Sequence, residues 1–361
     1  MSKRIIISVT SDLNTDQRVL KTAKTCYDNG FEVLLVGRWL KKTKFIDVPF
    51  QIKHFRLFFN SSVLFYAEYN IRLFFLLLFS RADIFLSNDT DTLIANFLAA
   101  KIRQKKLVFD AHELFPEVPE LAHRPAIKKI WTKIEDYIFP HLKHTYTVCN
   151  SIAEYYKNKY GIDMKVVRNV PYLSEFGEKK HINQGEKIIL YQGALNVGRG
   201  LEWVLNAMPL IENAKLVIIG DGDISEKLKK ITIDLNITDK VEFWGRIEGE
   251  KIRKFTPMAN LGLCLLENKG LSYYYALPNR IFDFMHAGVP ILATDFPEIR
   301  DVVVTHKTGK VIHQYEPEYL ARIISEMLKN PISTEHFRSL SKEFCWENDE
   351  KVILEILEKH V

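Results

Sequence analysis

Short unbroken apolar runs alternate along the chain with stretches in which apolar residues recur every three to four positions, the pattern of buried strands followed by amphipathic helices. Residues 5–9, Ile-Ile-Ile-Ser-Val, form the first run. The polar loop 10–18 is rich in capping residues, and Val19, Leu20, Ala23 and Tyr27 then give a helical stripe that Asn29-Gly30 ends before a second run at 31–37. This β-loop-α-β opening predicts a doubly wound parallel sheet that binds ligands at the carboxyl ends of its strands. Strands at 83–87, 107–109 and 146–149 and helices at 92–101, 126–142 and 152–159 continue the domain, which residues 166–171 close. A second series has strands at 188–191, 216–219, 241–244 and 289–293, with helices opening at Leu201, Ser225 and Pro278. Between the two series, residues 174–187 are polar and poor in apolar positions, which predicts a linker. The expected organisation is α/β, with two tandem Rossmann-like doubly wound domains at 1–173 and 188–334. A helical segment follows at 335–361, where Phe344, Trp346, Val352, Ile353, Ile356 and Leu357 fall at helical spacing. Residues 63–79 are strongly apolar, but Glu68 and Arg72 keep the uncharged run short of the ~20 residues a bilayer span needs. A buried helix is expected there in preference to an interfacial one.

Composition agrees with a soluble globular protein: 361 residues, 47% hydrophobic and 26% charged, with a strand beginning too early for a signal peptide. Cys26, Cys149, Cys264 and Cys345 are widely separated, which predicts reduced thiols in the cytoplasm, and neither a zinc site nor a disulfide framework. The net charge of +5 hides an asymmetry. Residues 1–170 carry 26 Lys and Arg against 17 Asp and Glu, while residues 171–361 carry 24 against 28. Within 38–57, Arg38, Lys41, Lys42, Lys44, Lys53 and Arg56 lie among Trp39, Phe45, Phe50 and Phe55. Such a surface suits anionic lipid headgroups or nucleic acid, and equally a solvated face.

The candidate chemistry gathers at the ends of strands. Loop 10–18 contains no glycine, so the dinucleotide fingerprint is missing and an NAD-dependent oxidoreductase is disfavoured. Asp89-Thr90-Asp91 is a D-x-D, which can hold a divalent metal, but its place ahead of a helix favours capping. The strand 107–109 runs into Asp110-Ala111-His112-Glu113, making His112 the first candidate for substrate contact, with a local strand-end hydrogen bond as the alternative. Gly193, Gly198, Arg199 and Gly200 share a β-to-α turn suited to phosphate, and Gly220 ends the next strand. In residues 277–295, Pro278 and Asn279 open a helix with an apolar stripe of Ile281, Phe282, Met285 and Ala287. Gly288 stops it, and its N-terminal amides suit a diphosphate.

Taken in order, the blocks 11–20, 87–93, 110–115, 193–201, 219–222, 243–246 and 278–295 resemble family 4 of the retaining, nucleotide-sugar-dependent glycosyltransferases of GT-B fold. The resemblance implies an acceptor-binding first domain, a donor-binding second domain, a cleft between them and a terminal helix that crosses back to the first. It implies no cofactor and no essential metal, because basic groups and helix dipoles hold the diphosphate. By position, Arg199 stands where the family keeps a phosphate-binding lysine. Ala194 replaces a second cation, and Arg280 is placed to substitute for it. The family's glutamate pair would occupy Ala276 and Asp283. Asp283 keeps a carboxylate for the ribose, and Ala276 removes the one that touches the sugar. Polar groups in 270–275, Tyr275 among them, are the available substitutes, and Leu277, Pro278 and Asn279 complete the donor side. His112 matches a position at the donor sugar and reacting bond. Asn14 and Asp16 lie on the loop that covers the cleft, with Asp89 and Glu113 on the acceptor side.

The implied reaction moves a sugar from a nucleotide diphosphate sugar to a hydroxyl of a saccharide or lipid-linked saccharide, with retention, in polysaccharide or glycolipid assembly. His112 and Arg199 are the candidate catalytic residues. The basic first half adds an anionic membrane surface as a partner, with a cytoplasmic or peripheral location; nucleic acid is not expected. The loss at Ala276 leaves open a non-catalytic nucleotide-sugar-binding partner, and the fold leaves open an epimerase or phosphorylase.

Overall fold

The computed structural model describes residues 2–13, 16–40, 47–173, 185–247 and 249–358. Asn14, Lys41, Lys42, Lys44, Phe45 and most of the expected linker at 174–187 lie outside the described residues. The chain divides into two compact units, Met1–Asn169 with Asp349–Val361, and Val170–Asn348. The apolar pattern had drawn these boundaries at residues 173 and 335.

In the first unit the strands are β1 (Arg4–Ser8), β2 (Glu32–Arg38), β3 (Gln51–Phe55), β4 (Ile84–Asn88), β5 (Lys106–Ala111), β6 (His144–Thr147) and β7 (Lys165–Val166). They pair in parallel in the order β3-β2-β1-β4-β5-β6-β7. The order reverses between β1 and β4, the place where the carboxyl ends of a doubly wound sheet leave a crevice. Strand β3 carries no apolar run because it is an edge strand whose side chains are mostly half-exposed or exposed. The helices are α1 (Gln17–Asp28), α2 (Ser62–Leu78), α3 (Thr90–Arg103), α4 (Pro125–Ile138) and α5 (Asn150–Tyr160).

Helix α2 corrects the expectation of a buried helix. Phe65, Tyr69, Leu73 and Leu77 fill the core with Ile6, Phe85 and Ala99, but Leu64, Ile71 and Phe75, half a turn away, are exposed. An all-round apolar sequence does not reveal which face is covered.

The second unit is a six-stranded parallel sheet of β8 (Lys187–Gln192), β9 (Ala214–Ile219), β10 (Val241–Gly245), β11 (Leu261–Cys264), β12 (Ile291–Thr294) and β13 (Gly309–Ile312), ordered β10-β9-β8-β11-β12-β13. Its switch point lies between β8 and β11. Its helices include α6 (Leu201–Ala207), α7 (Ser225–Asp234), α8 (Gly249–Phe255), α9 (Leu271–Tyr274) and α10 (Arg280–His286). The apolar pattern missed β11 and β13, each of four residues of which one is glycine. At Gly262 a Cβ would come within 2.5 Å of the Phe284 ring, so the glycine lets α10 pack down on β11.

Phe337 and Phe344 belong to the second unit's core. From Asp349 onward the helix Trp346–Glu358 belongs to the first unit, where Glu350 accepts from Thr25 Oγ1 at 2.6 Å and the carbonyl of Ile356 accepts from Lys106 Nζ at 2.6 Å. Ile353 is fully buried on this helix. Ile353→Ala is expected to lower the unfolding free energy by about 3 kcal/mol. Urea denaturation checks this, and a change under ~0.5 kcal/mol would place the helix outside the packed core.

Candidate active site

At the first unit's switch point, α1 and the ends of β4 and β5 bring together four charged groups. Arg18 Nε and Nη2 donate to the two carboxylate oxygens of Asp110 at 2.8 Å each, and Nη1 donates to the carbonyl of Val167 at 2.8 Å. Both side chains are almost wholly buried. Such a pair offsets its desolvation best when the geometry is bidentate and further N–H groups find acceptors, as the Val167 carbonyl provides here. Asp110 then holds His112. The imidazole Nε2 lies 3.0 Å from Asp110 Oδ2, Nδ1 lies 3.2 Å from Asp89 Oδ2, and the His112 backbone N–H donates to Asp89 Oδ1 at 2.8 Å.

With a carboxylate facing each ring nitrogen, His112 is an imidazolium. Burial alone would lower its pKa, but Asp89 and Asp110 raise it to about 10. Burial raises Asp89 and Asp91 to about 7, whereas at Asp110 the desolvation cost is outweighed by Arg18 and His112, which hold it at about 2.

Asp89 does not cap α3, contrary to expectation. The helix begins at Thr90, Asp89 has φ +58 and makes no side-chain cap bond, and its carboxylate serves His112. Asp91 instead accepts from Thr10 Oγ1. Among the described residues no cluster of three His, Cys, Asp or Glu side chains is arranged to hold a metal. Asp16 does cap, accepting from the Val19 N–H at 3.2 Å and from Ser11 Oγ at 2.8 Å. Glu113 is half-buried beside His112.

In the second unit the glycines allow close backbone approach more than they supply amides. A Cβ on Gly220, where φ is +146, would fall 1.9 Å from the Gly193 carbonyl oxygen. The Gly193 N–H donates to Ile219 and the Gly220 N–H to Gly245, so both amides are committed to the backbone. Of the turn amides expected to face phosphate, that of Gly193 is therefore taken by the sheet.

The cations remain. Arg280 is 8% exposed, its guanidinium carbon lies 4.4 Å from the Tyr191 ring centroid, and Nη2 would be 3.0 Å from a Cβ on Gly193. Its buried Nη1 and the buried Nε of Arg199 have no hydrogen-bond partner, and among the described residues neither arginine makes an ion pair. Arg199 lies over Tyr273 at 4.9 Å, and Gly198 leaves room for that ring. Helix α10 has only seven residues, so at this turn the arginine, more than the helix terminus, concentrates positive charge.

Asp283 is half-buried, with Oδ2 accepting from Gln192 Nε2 at 3.0 Å, and the other end of that amide accepts from Thr256 Oγ1 at 2.8 Å. Leu277 packs on the core beside Ala276, while Tyr275 and Pro278 are half-buried and Asn279 is exposed at the start of α10. Sequence reasoning missed Arg18, Tyr191 and Gln192, and placed Tyr273 at the sugar and not under Arg199. The signal for Arg18 was a charged side chain in phase with the buried stripe of α1; Tyr191 and Gln192 carried none.

Two doubly wound parallel sheets, each gathering polar groups at its switch point, define the GT-B class of glycosyltransferases. The model for Glycosyltransferase Family 4 matches residues 16–171 and that for Glycosyl transferases group 1 matches residues 174–344; the chain belongs to this family. Sucrose-phosphate synthase from Thermosynechococcus elongatus shares the fold with a TM-score of 0.81 at 15% identity, over 98% of each chain. The Anabaena protein HepE, solved with UDP and glucose, has a TM-score of 0.74 at 14% identity, over 98% of this chain and 99% of its own. Alpha-monoglucosyldiacylglycerol synthase of Streptococcus pneumoniae is 25% identical over 45% of this chain and 36% of its own length. The chain spans half or less of the length of most curated relatives it matches.

Two outcomes test the network around Asp110. Asp110→Asn strands a buried guanidinium and is expected to cost roughly 3–5 kcal/mol by chemical denaturation; a loss below 1 kcal/mol would show that Arg18 does not depend on it. Because His112 has a folded pKa above its unfolded value, its stabilisation is complete below pH 6.5 and disappears as pH rises through about 10. The melting-temperature gap between the native protein and His112→Gln should therefore shrink between pH 7 and 10. A gap that widens with pH would mean a neutral imidazole.

Proposed function

We propose that the second unit binds a nucleotide diphosphate sugar and that the sugar passes, with retention at the anomeric carbon, to a hydroxyl of a saccharide or lipid-linked acceptor bound by the first unit. The observation that carries this is Arg280, a buried guanidinium with an unpartnered N–H and no ion-pair partner among the described residues. A buried cation of this kind is costly unless an anion completes it. With Arg199 it supplies two fixed positive groups beside the glycine-rich turn, positioned before the diphosphate's charge develops. Because they neutralise that charge, the reaction needs neither a metal ion nor a cofactor.

His112 acts as a fixed cation rather than as a base, since both ring N–H groups are given to carboxylates. Asp89 and Asp110 are in turn committed to His112 and Arg18, which favours attack by the acceptor on the face that the diphosphate leaves. A departing phosphate oxygen takes the proton. Asp283, oriented by Gln192, is suited to a ribose hydroxyl, and Tyr275 with the backbone of residues 277–279 to the sugar. HepE, crystallised with UDP and glucose, and the Streptococcus glycolipid synthase support a nucleotide-sugar donor and a lipid-linked acceptor. Among the described residues no helix is long and apolar enough to cross a membrane. The location proposed is the cytoplasm or the inner membrane face.

Thermal shift with UDP-, GDP-, ADP- and CMP-sugars in EDTA tests the donor site. One nucleotide class is expected to stabilise the protein, and Arg280→Met to weaken that class by roughly 10- to 100-fold. Unchanged affinity in Arg280→Met, or a shift abolished by EDTA, would overturn the assignment. Consumption of the donor without an acceptor, giving free nucleotide and a sugar isomer, would identify an epimerase instead.

A further inference from the structure

We infer that the outer face of α2 and α3 seats the first unit on an anionic lipid bilayer. The inference rests on the reading above for its purpose, since a lipid-linked acceptor is met at a membrane surface.

The two helices are neighbours. Asn70 of α2 donates to the Asp91 carbonyl and accepts from the Ala95 N–H, while Arg103 at the end of α3 donates to the carbonyls of Leu77 and Ser80. At 100° per residue, Leu64, Ile71 and Phe75 form one ridge on the side of α2 opposite its buried residues, continued past the helix end by Phe79. Leu98 and Ile102 form a second ridge on α3. All six are exposed, from 41% for Leu98 to 79% for Phe79. The charges on α2, Glu68 and Arg72, are paired at 2.6 Å, and Glu68 also accepts from the Phe58 and Phe59 N–H groups. Water-facing helices normally carry polar residues on this side, and a contiguous apolar face marks a contact surface.

Charge selects the partner. On the flank of α3 away from α2, Lys101, Lys105, Lys143, His141, His144 and the buried Lys106 line a cavity of about 180 Å³. Lys106 is occupied by the carbonyls of Ile356 and Leu357, and Lys105 lies 3.2 Å from Asp83, the nearby acid. On the helical wheel Lys101 lies between the cavity and Leu98, so the basic hollow borders the apolar ridges. Apolar and aromatic side chains beside a basic pocket match acyl chains beside phosphate headgroups. A second protein copy would bring the same basic pocket and gain no such complement.

Flotation of the full chain with vesicles of phosphatidylglycerol and phosphatidylcholine, and of phosphatidylcholine alone, tests the inference. The native protein is expected to float with the anionic vesicles only. Phe75→Glu with Phe79→Glu, and separately Lys101→Glu with Lys143→Glu, should each reduce flotation about tenfold. Exposed positions should leave the melting temperature and the nucleotide-sugar thermal shift unchanged, so failure here is distinguishable from failure of the donor assignment. Absence of flotation in the native protein, or flotation undiminished in either double variant, would overturn the inference. So would a dimer in light scattering that the Phe75/Phe79 variant dissolves, since the face would then belong to a second copy.

Discussion

The buried pair of Arg18 and Asp110 is the contact on which the first unit's chemistry depends. A guanidinium and a carboxylate are expensive to remove from water, and bidentate geometry with a third bond to the Val167 carbonyl offsets that cost. The pair ties the first turn of α1 to the end of β5 and to the chain after β7. Its electrostatic effect reaches further. An Asp110 kept ionised holds His112 positive, and Asp89, at the N-cap position of α3, gives its carboxylate to that ring and not to the helix amides. The unusual backbone of Asp89, with φ +58, is explained by the carboxylate it must present.

The second unit solves a related problem with less charge compensation. Gly193 and Gly220 bring two strand ends so close that no side chain fits between them, and the guanidinium of Arg280 rests against the opening on the face of Tyr191. The ring partly compensates the charge without forming a salt bridge, and Nη1 is left without a hydrogen-bond partner. The turn carries Arg199 and, where the family resemblance places a second cation, Ala194; the other guanidinium beside it, Arg280, comes from α10. The charge reaches the turn from the other side of the switch point.

The sheets account for why the polar groups lie where they do. A parallel sheet covered on both faces has apolar strands throughout, so charged side chains collect at strand ends, and the reversal of strand order opens space beside them. Helices on such a sheet are free to differ on their outer sides. Helix α2 uses its outer side for apolar residues, a choice unfavourable in water unless another surface covers it.

Much of this was legible in the sequence because it depends on local pattern. The alternation of apolar runs with helical stripes specified two doubly wound sheets, the order of motif blocks pointed to the family, and the glycines after β8 and β9 marked the turns at the strand ends. Short strands such as β11 and β13 escaped because four residues, one of them glycine, carry too little pattern. The partners of polar groups escaped for a different reason. Arg18 and Asp110 are 92 positions apart, Gln192 and Asp283 are 91 apart, and no local spacing encodes their meeting. Whether Asp89 caps a helix or faces a histidine, whether a glycine's amide is free, and which side of α2 is covered are decided by strand order and helix packing. Periodicity determines the elements, and only their tertiary arrangement determines which charges neutralise one another and which are left for a ligand.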